Sequence, residues 1–112
     1  MHSKYTLHAV GTSQYHWSLK ARDAQTMLSS QVYEARAGAE TGIESCRVNS
    51  PDDARYERLT TRDERSYFVL KAANGEVIGT SQMYPSPAAL EKAIASCKES
   101  GPVAKIAYAM TR

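Results

Sequence analysis

The chain carries one pattern twice. Residues 15–33 read YHWSLKARDAQTMLSSQVY and residues 66–84 read SYFVLKAANGEVIGTSQMY. Leu19 and Leu70 stand 51 positions apart, as do Lys20 and Lys71, Ala21 and Ala72, Ser30 and Ser81, Gln31 and Gln82, and Tyr33 and Tyr84. The same spacing continues without a gap through Ala37/Ala88, Glu40/Glu91, Ile43/Ile94, Ser45/Ser96, Cys46/Cys97 and Pro51/Pro102. An ungapped internal repeat means two copies of one supersecondary unit. With 112 residues in total, either copy alone buries too little apolar surface to stand by itself, so the two must share a core. The chain is therefore expected to form a single domain over residues 1–112, with repeat one at 4–53 and repeat two at 54–112.

Each copy reads as strand, hairpin, strand, helix, strand. Residues 67–72 and 76–81 flank Asn74-Gly75, a pair suited to positive φ at both central positions of a tight hairpin. Asp23-Ala24 is a poorer turn former at the matching place. Trp17 and Leu19 in one copy and Phe68 and Leu70 in the other alternate with polar residues, so one sheet face is covered and the other is partly wet. Ser86 caps a helix that opens on Pro87. Leu90, Ala93, Ile94 and Cys97 then form one apolar stripe, and Gly101-Pro102 ends it. Ala39, Gly42, Ile43 and Cys46 repeat the stripe, but Ala35 replaces the capping serine. The first helix should start less sharply, and the second copy should carry more of the stability. Further strands are expected at 4–10, 54–60 and 105–110, the middle one closing the first unit and opening the second.

The residues SSQVYEARAGAETGIESCRVNSPDDARYE and LKAANGEVIGTSQMY, with AIASCKESG, resemble the YegP-like family, a tandem-repeat domain of unknown function in small bacterial proteins. The resemblance extends over nearly the whole chain. It implies an α+β fold: two β-β-β-α-β repeats forming one antiparallel sheet, two helices on one face, and final strands exchanged between repeats. It also implies that a two-repeat chain is a self-sufficient monomer, whereas single-repeat relatives pair as dimers. Cys46 and Cys97 stand where valine is common in the family. No activity is established for the family, so no catalytic residue transfers.

Composition narrows function mainly by exclusion. A net charge of +2 is too small to argue for nucleic acid or a membrane surface. No apolar run is long enough to span a bilayer, and residues 1–10 lack the pattern of a signal peptide, so a cytoplasmic location is the expectation. His2, His8 and His16 have no metal-ligand spacing, and their numbering sets His8 and His16 opposite other residues. Cys46 and Cys97 lack a second cysteine at C-x-x-C distance and read as small buried apolar residues. Glu40 and Glu91 recur at the edge of each helical stripe, where carboxylates usually pair with basic neighbours. Neither a cofactor nor a catalytic constellation is called for.

One candidate surface remains. His16, Lys20, Tyr67 and Lys71 should share the uncovered sheet face, with Arg55 and Arg58, together with Arg62 and Arg65, nearby in a central strand and its loop. Asp52, Asp53, Glu57, Asp63 and Glu64 interleave with these arginines and cancel much of their field. The expectation is a non-enzymatic docking domain for a protein partner, the alternative being weak nucleic-acid binding on the same face.

Overall fold

The structure is a computed structural model that describes residues 3–21 and 25–109. The Asp23-Ala24 turn lies outside the described residues. Strands β1 (Lys4–Val10) and β2 (Gln14–Lys20) pair antiparallel, with Val10 opposite Gln14 across a three-residue turn. Gly11 enters that turn at φ 66°, where a side chain would be strained. This register sets His8 directly against His16, which corrects the sequence expectation. The turn has three residues and a left-handed glycine, a geometry that residue numbering alone does not reveal.

Strand β3 (Thr26–Ser29) returns beside β2, and helix α1 (Arg36–Asn49) packs back over the sheet. Ala35 makes no side-chain cap, yet α1 begins at the residue matching the first residue of the second helix, α2 (Pro87–Ser100). Ser86 does cap α2, its hydroxyl accepting from the Ala89 amide at 3.1 Å. Burial of Ala39, Ile43 and Cys46 fixes the start of α1 where capping does not.

A 3-10 turn at Asp53–Arg55 precedes β4 (Tyr56–Thr60), so the expected strand starts two residues late. Strands β5 (Ser66–Lys71) and β6 (Val77–Thr80) follow, and β7 (Lys105–Ala109) comes after α2. Between β5 and β6 only Gly75 takes a positive φ, 89°. The Asn74 carboxamide instead accepts the Glu76 amide at 3.0 Å, so the turn is a three-residue loop rather than the two-residue one expected.

All seven strands form one sheet in the order β4-β5-β6-β3-β2-β1-β7. The final strands are exchanged: β4 follows α1 yet pairs with β5, and β7 follows α2 yet pairs with β1. β4 is thus an edge strand, not a central one. Six of the strands form antiparallel ladders, while β7 runs opposite to β6, from which α2 leads, and so lies parallel to β1. Tyr56 of β4 answers Tyr5 of β1 at the repeat spacing, which makes β7 the strand added beyond the two matched sets.

Both helices cover one face. Trp17, Leu19, Leu28, Phe68 and Leu70 from the sheet meet Ile43, Cys46, Ile94 and Cys97 from the helices in one buried cluster. Each large apolar side chain there contributes about 1.5–3 kcal/mol. The duplicated serines are structural: Ser30 and Ser81 accept the amides of Trp17 and Phe68, each at 2.9 Å. Their hydroxyls donate to the carbonyls of Gln31 and Gln82 at 2.7 and 2.8 Å.

The pseudo-twofold axis passes between β3 and β6, where Ser29 faces Thr80. Positions near this axis are matched large against small. A Cβ on Gly79 would stand 2.8 Å from Leu28 Cγ, and one on Gly101 would stand 2.6 Å from Ser50 Cβ. Gly101 has φ −53°, so it is glycine for close approach and not for a left-handed helix end. A fused pair can place different residues at its axis, which a symmetric dimer of one repeat cannot do.

Candidate interaction surface and paired clefts

The open face of the sheet is set by strand alternation. Thr6, Ser18, Ser29, Thr80 and Val69 run across it as aligned partners on successive strands. These are short side chains, and longer ones flank them. On one side Lys105, Lys4 and Lys20 are direct neighbours on β7, β1 and β2. On the other, His8 and His16 stack with ring centroids 4.7 Å apart and planes 18° apart. Partial burial, together with His16 and Lys20, lowers the His8 pKa.

None of Lys4, Lys20 and Lys105 meets a carboxylate among the described residues. Like charges directly opposite on neighbouring strands destabilise a sheet, so this row costs the fold stability. Of the residues singled out from sequence, His16 and Lys20 lie within this half of the face. Tyr67 and Lys71 share the face on β5, with Lys71 paired to Glu57 at 2.6 Å.

The two arginines stand apart. Arg55 pairs with Asp52 at 3.7 Å at the end of the 3-10 turn. Arg58 is opposite Phe68 and therefore faces the helix layer, not the open face. It holds both Glu91 oxygens, at 2.6 and 3.0 Å, and Asp53 at 2.8 Å. Lys98 reaches the same Asp53 oxygen at 2.6 Å. Hydrogen bonds from Arg58 and Lys98 hold the Asp53 carboxyl down to about 2, and Arg58 likewise lowers Glu91. Arg65 pairs with Asp63 at 3.0 Å. The pairs made by Arg58 and Lys98 tie β4, the 3-10 turn and α2 together, while those of Arg55 and Arg65 are local. Glu40, the repeat partner of Glu91, accepts from the Tyr108 hydroxyl at 3.0 Å, so each carboxylate links its helix to an exchanged edge strand. The lysine row was missed because Lys4 and Lys105 are brought together by the β1–β7 pairing, a contact between the two ends of the chain.

The helix side carries two clefts related by the repeat. One, of about 390 Å³, lies between α1 and the β5–β6 hairpin and includes Gln31, Tyr33, Gly42, Ser45 and Glu76. Its counterpart, of about 360 Å³, has Gln82, Tyr84, Ala93, Ser96 and Gln25. Beneath the helices Cys46 and Cys97 are both free and buried. Burial pushes their thiols up to about 12 and about 11. They are held neutral, which removes them as nucleophiles at neutral pH.

Residues 12–57 and 62–107 each match the model of a domain of unknown function, DUF1508. The chain belongs to this family. A member from Acinetobacter baylyi, a UPF0339 protein, is 46% identical over 102 residues, covering 91% of this chain and 92% of that one. The YegP protein of Escherichia coli O157:H7 is 47% identical over 89 residues, covering 80% of this chain and 81% of its own. Among solved structures, the solution structure of a UPF0339 protein from Shewanella oneidensis is 40% identical with a TM-score of 0.91, covering 98% of this chain and 93% of that one. That of YegP from E. coli is 38% identical with the same TM-score, 0.91, over 100% and 97% of the two chains. The resemblance drawn from the repeated residues is thus shown, and so is the fold it implied. The family is one of unknown function. No helix among the described residues is long and apolar enough to cross a membrane.

Proposed function

We propose that this chain is a non-catalytic docking module of the cytoplasm, and that its open sheet face receives an acidic segment of a protein partner. The observation that carries the reading is the row Lys105, Lys4 and Lys20 on three adjacent strands, unpaired among the described residues. A row of like charges that weakens its own sheet is explained if a bound anion relieves it. The short side chains beside the row leave a shallow trough, and His8 and His16 form its far wall.

A protein partner suits this face better than nucleic acid does. Single-stranded nucleic acid is held by spaced aromatic rings on which bases stack. Here Tyr67 lies on the other half of the sheet, and the two histidine rings are stacked on each other. The test is a titration with a glutamate-rich peptide and a single-stranded RNA of equal charge, each at low and moderate salt. Tighter binding of the peptide, lost in a Lys4→Glu variant, supports the reading. Tighter binding of RNA with a steep salt dependence replaces it with the nucleic-acid one.

A further inference from the structure

Strand β7 is the edge of the sheet beside β1, and β4 is the edge at the other end. An edge strand offers a row of N–H and C=O groups to any further strand, and charged side chains guard such rows. β4 is guarded: Glu57 pairs with Lys71, and Arg58 with Asp53 and Glu91. β7 reads KIAYA, with Lys105 its one charge. Its outer row meets no strand among the described residues.

The two faces of β7 differ in chemistry. Ile106 aligns with Tyr5 and Tyr108 with Leu7, which puts both on the helix side. Ile106 is partly buried, whereas Tyr108 is 49% exposed. The Tyr108 ring is held by α1: Glu40 accepts from its hydroxyl at 3.0 Å, and the Arg36 guanidinium carbon lies 4.6 Å from its centroid. Lys105 and Ala107 align with Lys4 and Thr6 on the open face. The lysine row therefore ends at this edge. Lys105 has a lysine on its inner side and, among the described residues, no strand on its outer side.

We propose that the acidic partner segment binds as an added strand along β7, with acids and apolar residues in alternation. The inference rests on the docking reading and adds to it the conformation and pattern of the segment. Successive side chains of a strand point to opposite faces. An acid opposite Lys105 thus joins the lysine row, where opposite charges on neighbouring strands attract. The apolar residues, one position out of step, lie on the helix side against Ile106 and the exposed Tyr108 ring. Ladder hydrogen bonds supply affinity, and the alternation supplies specificity.

The probe is a capped hexapeptide alternating glutamate and valine, titrated into the full chain. Its control has the same residues in block order, glutamates first, and a further alternating peptide is N-methylated throughout to remove its ladder donors. Binding is read from backbone amide shifts, and strand addition from amide hydrogen exchange. The alternating peptide should bind roughly tenfold more tightly than the block-order one. It should slow exchange within residues 105–109 and leave residues 56–60 unchanged. The N-methylated peptide should not bind. Lys105→Glu, an exposed position, should weaken the alternating peptide roughly fivefold. Equal binding of alternating and block-order peptides, with β7 unprotected, overturns this inference and leaves the docking reading standing. No binding by either acidic peptide overturns both. Protection of β7 that rises with chain concentration without peptide makes a second copy the occupant and overturns the proposal, as does equal protection of β4.

Discussion

The Tyr5 hydroxyl donates to the Gly101 carbonyl at 2.6 Å, joining residues 96 positions apart. The same bond occurs again where Tyr56 donates to the Ser50 carbonyl at 2.7 Å. Each tyrosine comes from a strand beside one helix and seals the C-terminal end of a helix, where carbonyls lack intrahelical partners. Tyr5 thereby links β1 to the end of α2, while Tyr56 holds the turn that leads from α1 into β4. Tyr5→Phe and Tyr56→Phe should each lose about 1–3 kcal/mol, because a buried carbonyl is left unpaired. Equilibrium denaturation checks this, and a loss confined to one tyrosine would break the equivalence of the two sites.

The axis residues give a second test. Gly101→Ala should destabilise by about 1–3 kcal/mol, since its Cβ would press on Ser50. Ser50→Gly in the same chain should restore most of that loss, giving a strong coupling in a double-mutant cycle. Independent effects would show that the contact at the axis is not what demands glycine.

Acid should loosen the joint between the 3-10 turn, β4 and α2. Asp53 titrates at about 2 in the folded chain, below its ordinary 3.8. A depressed carboxyl stabilises the fold above its unfolded pKa, and that contribution disappears as pH falls through the folded one. Wild type should therefore lose stability between about pH 4 and 2 more steeply than Asp53→Asn. The buried thiols act at the other end of the scale. Because folding raises them, stability should fall as pH climbs above 9 toward 11–12, and Cys46→Ala/Cys97→Ala should flatten that slope. Parallel curves for variant and wild type would contradict the assignment in either case.

The halves should differ in hydrogen exchange. The second repeat has the Ser86 cap and the Gly75 turn, while the first lacks a side-chain cap and buries a Ser50 hydroxyl with no partner among the described residues. Amides of α2 and the β5–β6 hairpin should therefore be better protected than those of α1 and β2–β3. Better protection of the first half would contradict this.

The fold was legible because duplication leaves a register that subtraction recovers. Leu19 against Leu70 locates strands, and Ser86-Pro87 locates a helix start, each by local rules. Gly101-Pro102 does mark the end of α2, which stops at Ser100, but the reason for the glycine was not legible, since it is a contact with Ser50 from the other repeat. His8 against His16 was hidden by a three-residue turn, which shifts the pairing from what numbering suggests. Arg58 was expected near the open face in a central strand, but the exchange sends β4 to the edge and the register opposite Phe68 turns Arg58 to the helix layer. The candidate surface was half legible: His16 and Lys20 follow from strand alternation. Lys4 and Lys105 join them only through the parallel β1–β7 pairing, for which no local signal exists.

Lys4 sits between Lys20 and Lys105 and offers the most direct test of the docking face. Lys4→Glu turns two repulsive neighbours into attractive ones and should raise stability by about 0.2–1 kcal/mol per pair. Loss of binding in such a variant is not loss of fold. The measurement is affinity capture from bacterial lysate with wild type and Lys4→Glu in parallel, after nuclease treatment, read by mass spectrometry. A protein held by wild type, released by salt and absent from the more stable variant is the predicted result. The same proteins captured by both, or companions that vanish with nuclease, would contradict it.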